Sequence, residues 1–156
     1  MTKILNSTNE KIPNAYRDLQ EHVAALKKAD CLVVVDVPIN KDTELHPLVR
    51  WQYRGGIADS GRKAFLFTNV HDSLGRTYEM PVLVGALAAS QEIYRIGMRV
   101  ELAQIGAHWA KAVNEIIEPV EVSTAPCQEV ITAGDELARE GAGLDALPVP
   151  ISTPGF

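Results

Sequence analysis

The sequence predicts a layered α/β or α+β domain: a small mixed sheet flanked by helices, with an extended C-terminal arm. Three observations support this. Apolar runs rich in valine and phenylalanine recur at Cys31–Ile39, Ala64–Val70 and Pro81–Leu87, with turn residues between them. Stretches of helical 3–4 spacing alternate with these runs. The order is helix–strand–helix–strand–strand–helix–strand, with no internal repeat.

The polar start, residues 1–13, reads as a tail. Asn14 is the expected N-cap of a first helix to Ala29, in which Tyr16, Leu19, Val23 and Leu26 form one apolar stripe. Lys27 and Lys28 fall in its last turn, where positive charge suits the helix dipole. The run Cys31–Ile39 contains three consecutive valines and reads as a strand buried on both faces, ended by Pro38. Asn40–Thr43 is a turn leading into a helix from Glu44 to Tyr53, which Gly55-Gly56 closes.

A polar loop, Ile57–Lys63, precedes the strand Ala64–Val70. The turn His71–Glu79 leads to a third strand over Pro81–Leu87, and helical sequence resumes at Ser90. Leu102, Ile105, Trp109, Val113 and Ile116 keep helical spacing, so Val100–Ile117 is expected to be one long amphipathic helix, with a break near Gly97 and a stop at Pro119. Val120–Thr132 alternates on each side of Ala125-Pro126 and reads as a kinked strand. Residues 14–133 thus form the α/β domain, and 134–156, rich in glycine and proline, form the extended arm.

A chain of 156 residues is long enough for one ordinary domain core, and 46% hydrophobic with 22% charged residues is the balance of a globular protein. The formal net charge is -5 and the pI about 5.3, which argues against a general nucleic-acid binder. The longest apolar run, Met80–Ala89, is about half the roughly 20 residues that cross a bilayer. MTKILNSTNEK lacks a signal-peptide core, so a cytoplasmic protein is expected, with Cys31 and Cys127 as reduced buried thiols.

No group of residues makes a convincing catalytic set. None of the four histidines, His22, His46, His71 and His108, shares a local metal motif with another. His22 and His108 read as surface or helix-packing residues, and His71-Asp72 as turn-stabilising. Arg54-Gly55-Gly56 lacks any phosphate-loop pattern. Ser60 and Ser73 are lone loop serines without a nucleophile elbow. Glu115, Glu118 and Glu121 read as a solvated edge. Trp51 and Tyr53, beside Arg50 and Arg54, read as helix-packing residues rather than an anion site.

Several segments, in order, resemble the N-terminal region of the UbiD family of decarboxylases. They are Asp18–Leu45 (a helix, a strand and an Asp-containing turn), Lys63–Val70 (KAFLFTNV) and Met80–Met98 (MPVLVGALAASQEIYRIGM). The most specific are Glu118–Leu137, with its Ala-Pro-Cys and Gly-Asp, and Leu144–Phe156, with its Leu-Pro-x-Pro.

The resemblance implies an assembled cytoplasmic enzyme for reversible, non-oxidative decarboxylation of an aromatic or α,β-unsaturated carboxylic acid. It further implies prenylated FMN with Mn2+ or Mg2+ and K+, and a homo-oligomer of the full enzyme with no nucleic-acid or membrane partner. In that family the catalytic Glu-Arg-Glu set and the metal and cofactor ligands lie beyond the Leu-Pro-x-Pro arm. No catalytic, cofactor-binding or metal residue is therefore assigned within this chain, and the chain alone is expected to be inactive. The cofactor and C-terminal domains would be supplied by further polypeptide, in cis or as a separate chain, and the arm would lead towards a split-barrel cofactor domain. Three arrangements stay open: a piece of a longer enzyme, a small subunit, or a stand-alone accessory or interaction module without catalytic activity.

Overall fold

A computed structural model of the chain describes residues 15–151. The mixed α/β expectation is met, with two three-stranded sheets where one was expected. Strands β1 (Leu32–Val35), β3 (Ala64–Phe67) and β6 (Val82–Val84) form the first, in the order β1-β3-β6. Strands β2 (Ile39–Asn40), β4 (Val70–His71) and β5 (Thr77–Tyr78) form the second, in the order β2-β4-β5. Each sheet has one parallel and one antiparallel pair.

The two sheets continue one another. The β1–β2 and β3–β4 strands break side by side, and bridging bonds from the Thr68 amide to Val35 O (3.0 Å) and from the Ile39 amide to Asn69 O (3.0 Å) span the break. Pro38, with no N–H to donate, sits inside it and ends the β1 ladder.

Helices cover both faces of the first sheet. On one side α1 (Leu19–Lys28) and α3 (Gln91–Met98) enclose Leu26, Cys31, Ala64, Ala86, Ala89, Ile93 and Ile96. On the other, α2 (Leu45–Arg54) closes over Leu45, Val49, Ile39, Phe67 and Val70. Phe67 and Ala64, both fully buried, occupy opposite faces of the central strand β3. Gln52 ties α2 to the start of β3: its Nε2 donates to Lys63 O (3.0 Å) and its Oε1 accepts from the Lys63 amide (2.9 Å). A buried side-chain amide satisfied on both ends costs little and fixes the helix in register.

Several expectations are corrected. Asn14 lies outside the described residues, and the cap of α1 is Asp18, whose extended backbone lets Oδ1 accept from the Glu21 amide at 2.9 Å. Tyr16 therefore precedes the helix and donates its hydroxyl to Ile96 O (2.8 Å). The buried stripe is His22 and Leu26, one turn apart, while Leu19 is 58% exposed. The run Cys31–Ile39 is not buried on both faces: β1 is an edge strand, and Val33 and Val34 are exposed.

The third strand is trimmed to Val82–Val84 by Pro81 before it and Gly85 after it. Gly85 has φ +78, and a Cβ there would come within 3.2 Å of the Ala89 side chain. Ser90 caps α3, accepting from the Ile93 amide at 3.2 Å.

The helix continues through Gly97 and breaks at Arg99, which adopts the left-handed conformation (φ 55). A 3-10 turn, Leu102–Gln104, then leads to α4 (Ile105–Asn114), which is shorter than expected, ends before Pro119 and buries no residue. Val120–Thr132 is not a strand. Its alternation is real, but no strand edge takes its hydrogen bonds, Pro126 has none to give, and the only regular element is a 3-10 turn at Pro126–Gln128. The arm carries 3-10 turns at Gly134–Ala138 and Leu144–Ala146, and it bends back to the core, where the Ile151 amide donates to Lys41 O (3.2 Å).

Because Phe67 joins both core clusters' common strand to α2, Phe67→Ala is expected to lower the unfolding free energy by about 3–5 kcal/mol in urea titrations. A loss below about 1 kcal/mol would show that this side chain is not packed as described.

Candidate docking surface

The chain exposes more surface than a compact fold of its size explains. A compact protein of 17.0 kDa exposes roughly 7,700 Å2 by size scaling, whereas the accessible surface here is 12,248 Å2. Even with every undescribed residue fully exposed, scaling accounts for roughly 10,000 Å2. The remainder, roughly 2,000 Å2, matches what one partner contributes to a large permanent interface.

That excess has a location. From Gly106 to Gly141 no residue is buried, and only Ala125 is even half-covered. The exposed side chains there include Val113, Ile116, Ile117, Val120, Val130 and Ile131, with Ile117 83% and Val130 84% exposed. Large aliphatic side chains held in water at this density make the segment a candidate interaction face. Their attachment to the core is narrow: Trp109 Nε1 donates to the Tyr94 hydroxyl of α3 at 2.7 Å.

A polar lock organises the opposite end of the sheets. Asn40 Oδ1 accepts from the amides of Asp42 (2.9 Å) and Thr43 (3.3 Å), and Asp42 Oδ2 accepts from the Ser73 amide (2.9 Å). The Lys41 ammonium beside Asp42 (2.6 Å), then the Ser73 amide, hold that carboxyl below its usual range. The buried Asp72 closes the β4–β5 turn: Oδ1 accepts from the amides of Leu74 (3.0 Å) and Arg76 (2.8 Å), and Oδ2 from the Tyr78 hydroxyl (3.0 Å). Burial pushes the Asp72 carboxyl up, but these donors together outweigh it and leave it below the usual range.

The residues singled out in the sequence do not converge. His22 is buried, and its Nε2–H donates to Ala86 O (2.8 Å), because a carbonyl can only accept; Nδ1 has no partner among the described residues. His22 is thus a packing residue of α1, as expected. His108 is exposed on α4, His46 half-buried at the start of α2, and His71 pairs with Thr77 in the hairpin while Asp72 holds the turn.

Ser60 lies exposed in a 3-10 turn, and Ser73 is committed to Asn40 and Asp42. Glu115, Glu118 and Glu121 are exposed, in keeping with a solvated edge. Trp51 is a correction: it is 70% exposed on α2, not packed, while Tyr53 lies under the Arg62 guanidinium at 5.2 Å. Cys31 is buried, which pushes its thiol up, but Cys127 is exposed, so only one of the two cysteines is a buried thiol.

An open cleft of about 420 Å3 lies between α1 and α3, lined by Tyr16, Lys28, Arg95, Ile96 and Arg99. Its arginines are structurally committed. Arg95 makes a two-pronged contact with Glu92 (2.7 and 2.8 Å), and Arg99 stacks over Tyr16 at 4.9 Å while donating to Ala15 O. Among the described residues no three His, Cys, Asp or Glu side chains come together as metal ligands, and no helix is long and apolar enough to cross a membrane.

Fold and surface together define a mixed α/β domain with a broad exposed apolar face. No protein-family model matches the chain, and no curated protein matches it.

Two measurements check this geometry. Ile116→Lys with Ile117→Lys is expected to leave the unfolding free energy from urea titrations within about 0.5 kcal/mol of the parent; a loss of several kcal/mol would mean that these side chains are buried. The folded carboxyls of Asp42 and Asp72 titrate below their unfolded values, so their stabilisation is present above about pH 4 and lost as pH falls through the folded values. Urea midpoints between about pH 6 and 3 should fall more steeply for the parent than for Asp72→Asn, and parallel curves would exclude the Asp72 contribution.

Proposed function

We propose that the chain is the N-terminal structural domain of a UbiD-type cytoplasmic enzyme. The assembled enzyme would catalyse reversible, non-oxidative decarboxylation of an aromatic or α,β-unsaturated carboxylic acid with prenylated FMN. The observation that carries this reading is the exposed apolar excursion from Gly106 to Gly141, in which no residue is buried. It contains Glu118–Leu137, the segment whose resemblance to the family is most specific, and it is the part of the chain that contributes nothing to its own core. A segment of that kind is expected to complete its packing on further polypeptide, here the cofactor and C-terminal domains of the enzyme, in cis or as a separate chain.

The side chains described for residues 15–151 do not make a site for the cofactor or its metal. Among the described residues no three His, Cys, Asp or Glu side chains come together as Mn2+ or Mg2+ would need, and the cleft between α1 and α3 has its arginines tied to Glu92, Glu101, Tyr16 and Ala15. No chemical step is therefore routed through this chain. Its contribution is positional: a rigid α/β body holding an apolar face against the domain that carries the chemistry. The full enzyme is expected to be a homo-oligomer.

Reconstitution provides the test. The chain, alone and assembled with the remaining UbiD-type polypeptide, would be incubated with prenylated FMN and Mn2+, desalted, and assayed for flavin absorbance and for CO2 release from a panel of aromatic and α,β-unsaturated acids. Retained flavin and turnover are expected only for the assembly. Flavin held by the chain alone, or an assembly without turnover on any acid, would overturn the reading.

A further inference from the structure

The side-chain contacts between the Gly/Pro-rich arm and the α/β core converge on Arg76. Arg76, in the turn between β4 and β5, donates through Nη1 to the Asp145 carbonyl (2.7 Å) and to Asp145 Oδ2 (2.9 Å), and through Nη2 to Glu140 Oε1 (3.1 Å). On the core side Arg76 is held rigidly: its amide donates to the buried Asp72 carboxylate (2.8 Å), and its carbonyl accepts from the Asp72 amide (2.9 Å). On the arm side the Gly141 amide donates to the same Asp145 Oδ2 (3.0 Å), folding Glu140 and Asp145 towards one guanidinium. Gly141 has φ +76, which a side chain would resist, so that turn depends on glycine. Beyond the clamp Pro148 is buried, and the Ile151 amide reaches Lys41 O.

Isolated surface ion pairs are worth little, because water screens them and two long side chains lose freedom. This contact differs in two respects. One guanidinium engages three acceptors on a short, turn-constrained segment, and its own backbone is already fixed by Asp72. The segment it fastens spans positions 140–151, immediately after the exposed excursion. With Trp109–Tyr94 near one end and Arg76 at the other, the excursion is a loop tethered at both feet.

We propose that Arg76 is the core half of an electrostatic latch whose arm half is Glu140 and Asp145, and that this latch presets the direction of the arm and of the apolar excursion before any partner docks. Preorganisation of this kind lowers the ordering cost of association. The latch depends only on contacts within the chain and does not rest on the cofactor chemistry proposed above. It opens when the arm carboxylates lose the guanidinium, or when salt screens them from it.

Millisecond hydrogen–deuterium exchange on the 156-residue chain tests it directly. In Arg76→Gln, the amides of Leu147 and Ile151 are expected to exchange roughly tenfold faster than in the parent, while the Ala64 amide, bonded to Cys31 O in the core, is unchanged. About 1 M NaCl, where the Debye length is roughly 3 Å, should move the parent towards the variant. Because Arg76→Gln could loosen the hairpin itself, Asp145→Ala serves as the second variant; it removes the arm half and leaves Arg76 on its scaffold. Faster arm exchange with an unchanged core in Asp145→Ala supports the latch. Arm exchange unchanged in Asp145→Ala, or core and arm rising together in it, overturns the latch.

Discussion

Everything in this structure depends on the parallel pairing of β1 with β3. The register Leu32↔Ala64 through Val35↔Phe67 puts Ala64 under α1 and α3 and Phe67 under α2, so one four-residue strand feeds both cores. Parallel pairs need a crossover, and α2 with the Asp59–Gly61 turn supplies it. Gln52 then binds both polar groups of Lys63 at the entry to β3, and the Lys63 ammonium pairs with Asp30 (3.0 Å) at the entry to β1. A slip of one residue would turn Phe67 outwards and leave Gln52 unsatisfied in a buried place.

That economy has a consequence for the second half of the chain. Once α1, α2 and α3 are laid down, the central strand β3 is covered on both faces, and α4 packs no buried side chain against the sheet. Helix α4 and the segments after it keep an apolar pattern but have no core of their own to join. Helical spacing in Leu102, Ile105, Trp109, Val113 and Ile116 therefore describes an apolar face that this domain leaves uncovered, the face assigned above to the proposed partner. The same holds for Val120–Thr132, whose alternating pattern suits a pleated partner that the described residues do not provide.

Local chemistry was legible in the sequence; long-range placement was not. The valine run announced β1, the Phe-Leu-Phe run announced β3, Pro38 announced the break, and Gly55-Gly56 announced the end of α2, because each acts through its own backbone. Ser90 and Gly85 act locally too. By contrast, the edge position of β1 leaves Val33 and Val34 exposed although their sequence reads as fully buried, since burial is decided by neighbours far along the chain. Asp18, not Asn14, is the cap because its carboxylate in the extended conformation reaches the Glu21 amide, and the Asp18-x-x-Glu21 spacing is itself a local signal for it. The contact between Arg76 and Asp145 joins residues 69 positions apart, and no periodicity signals it. The amphipathic patterning of Val100–Ile117 was legible, but that its apolar side chains stay exposed was not, because exposure depends on what the rest of the chain leaves uncovered.

The central claim is that the apolar face between Gly106 and Gly141 is covered by further polypeptide in the working protein. Hydroxyl-radical footprinting of the chain alone and in its assembled form addresses that claim most directly. Trp109, Ile116, Ile117, Val130 and Ile131 should label freely in the isolated chain and become strongly protected on assembly, with Phe67 silent in both. Equal labelling of those five residues in the two states would contradict it.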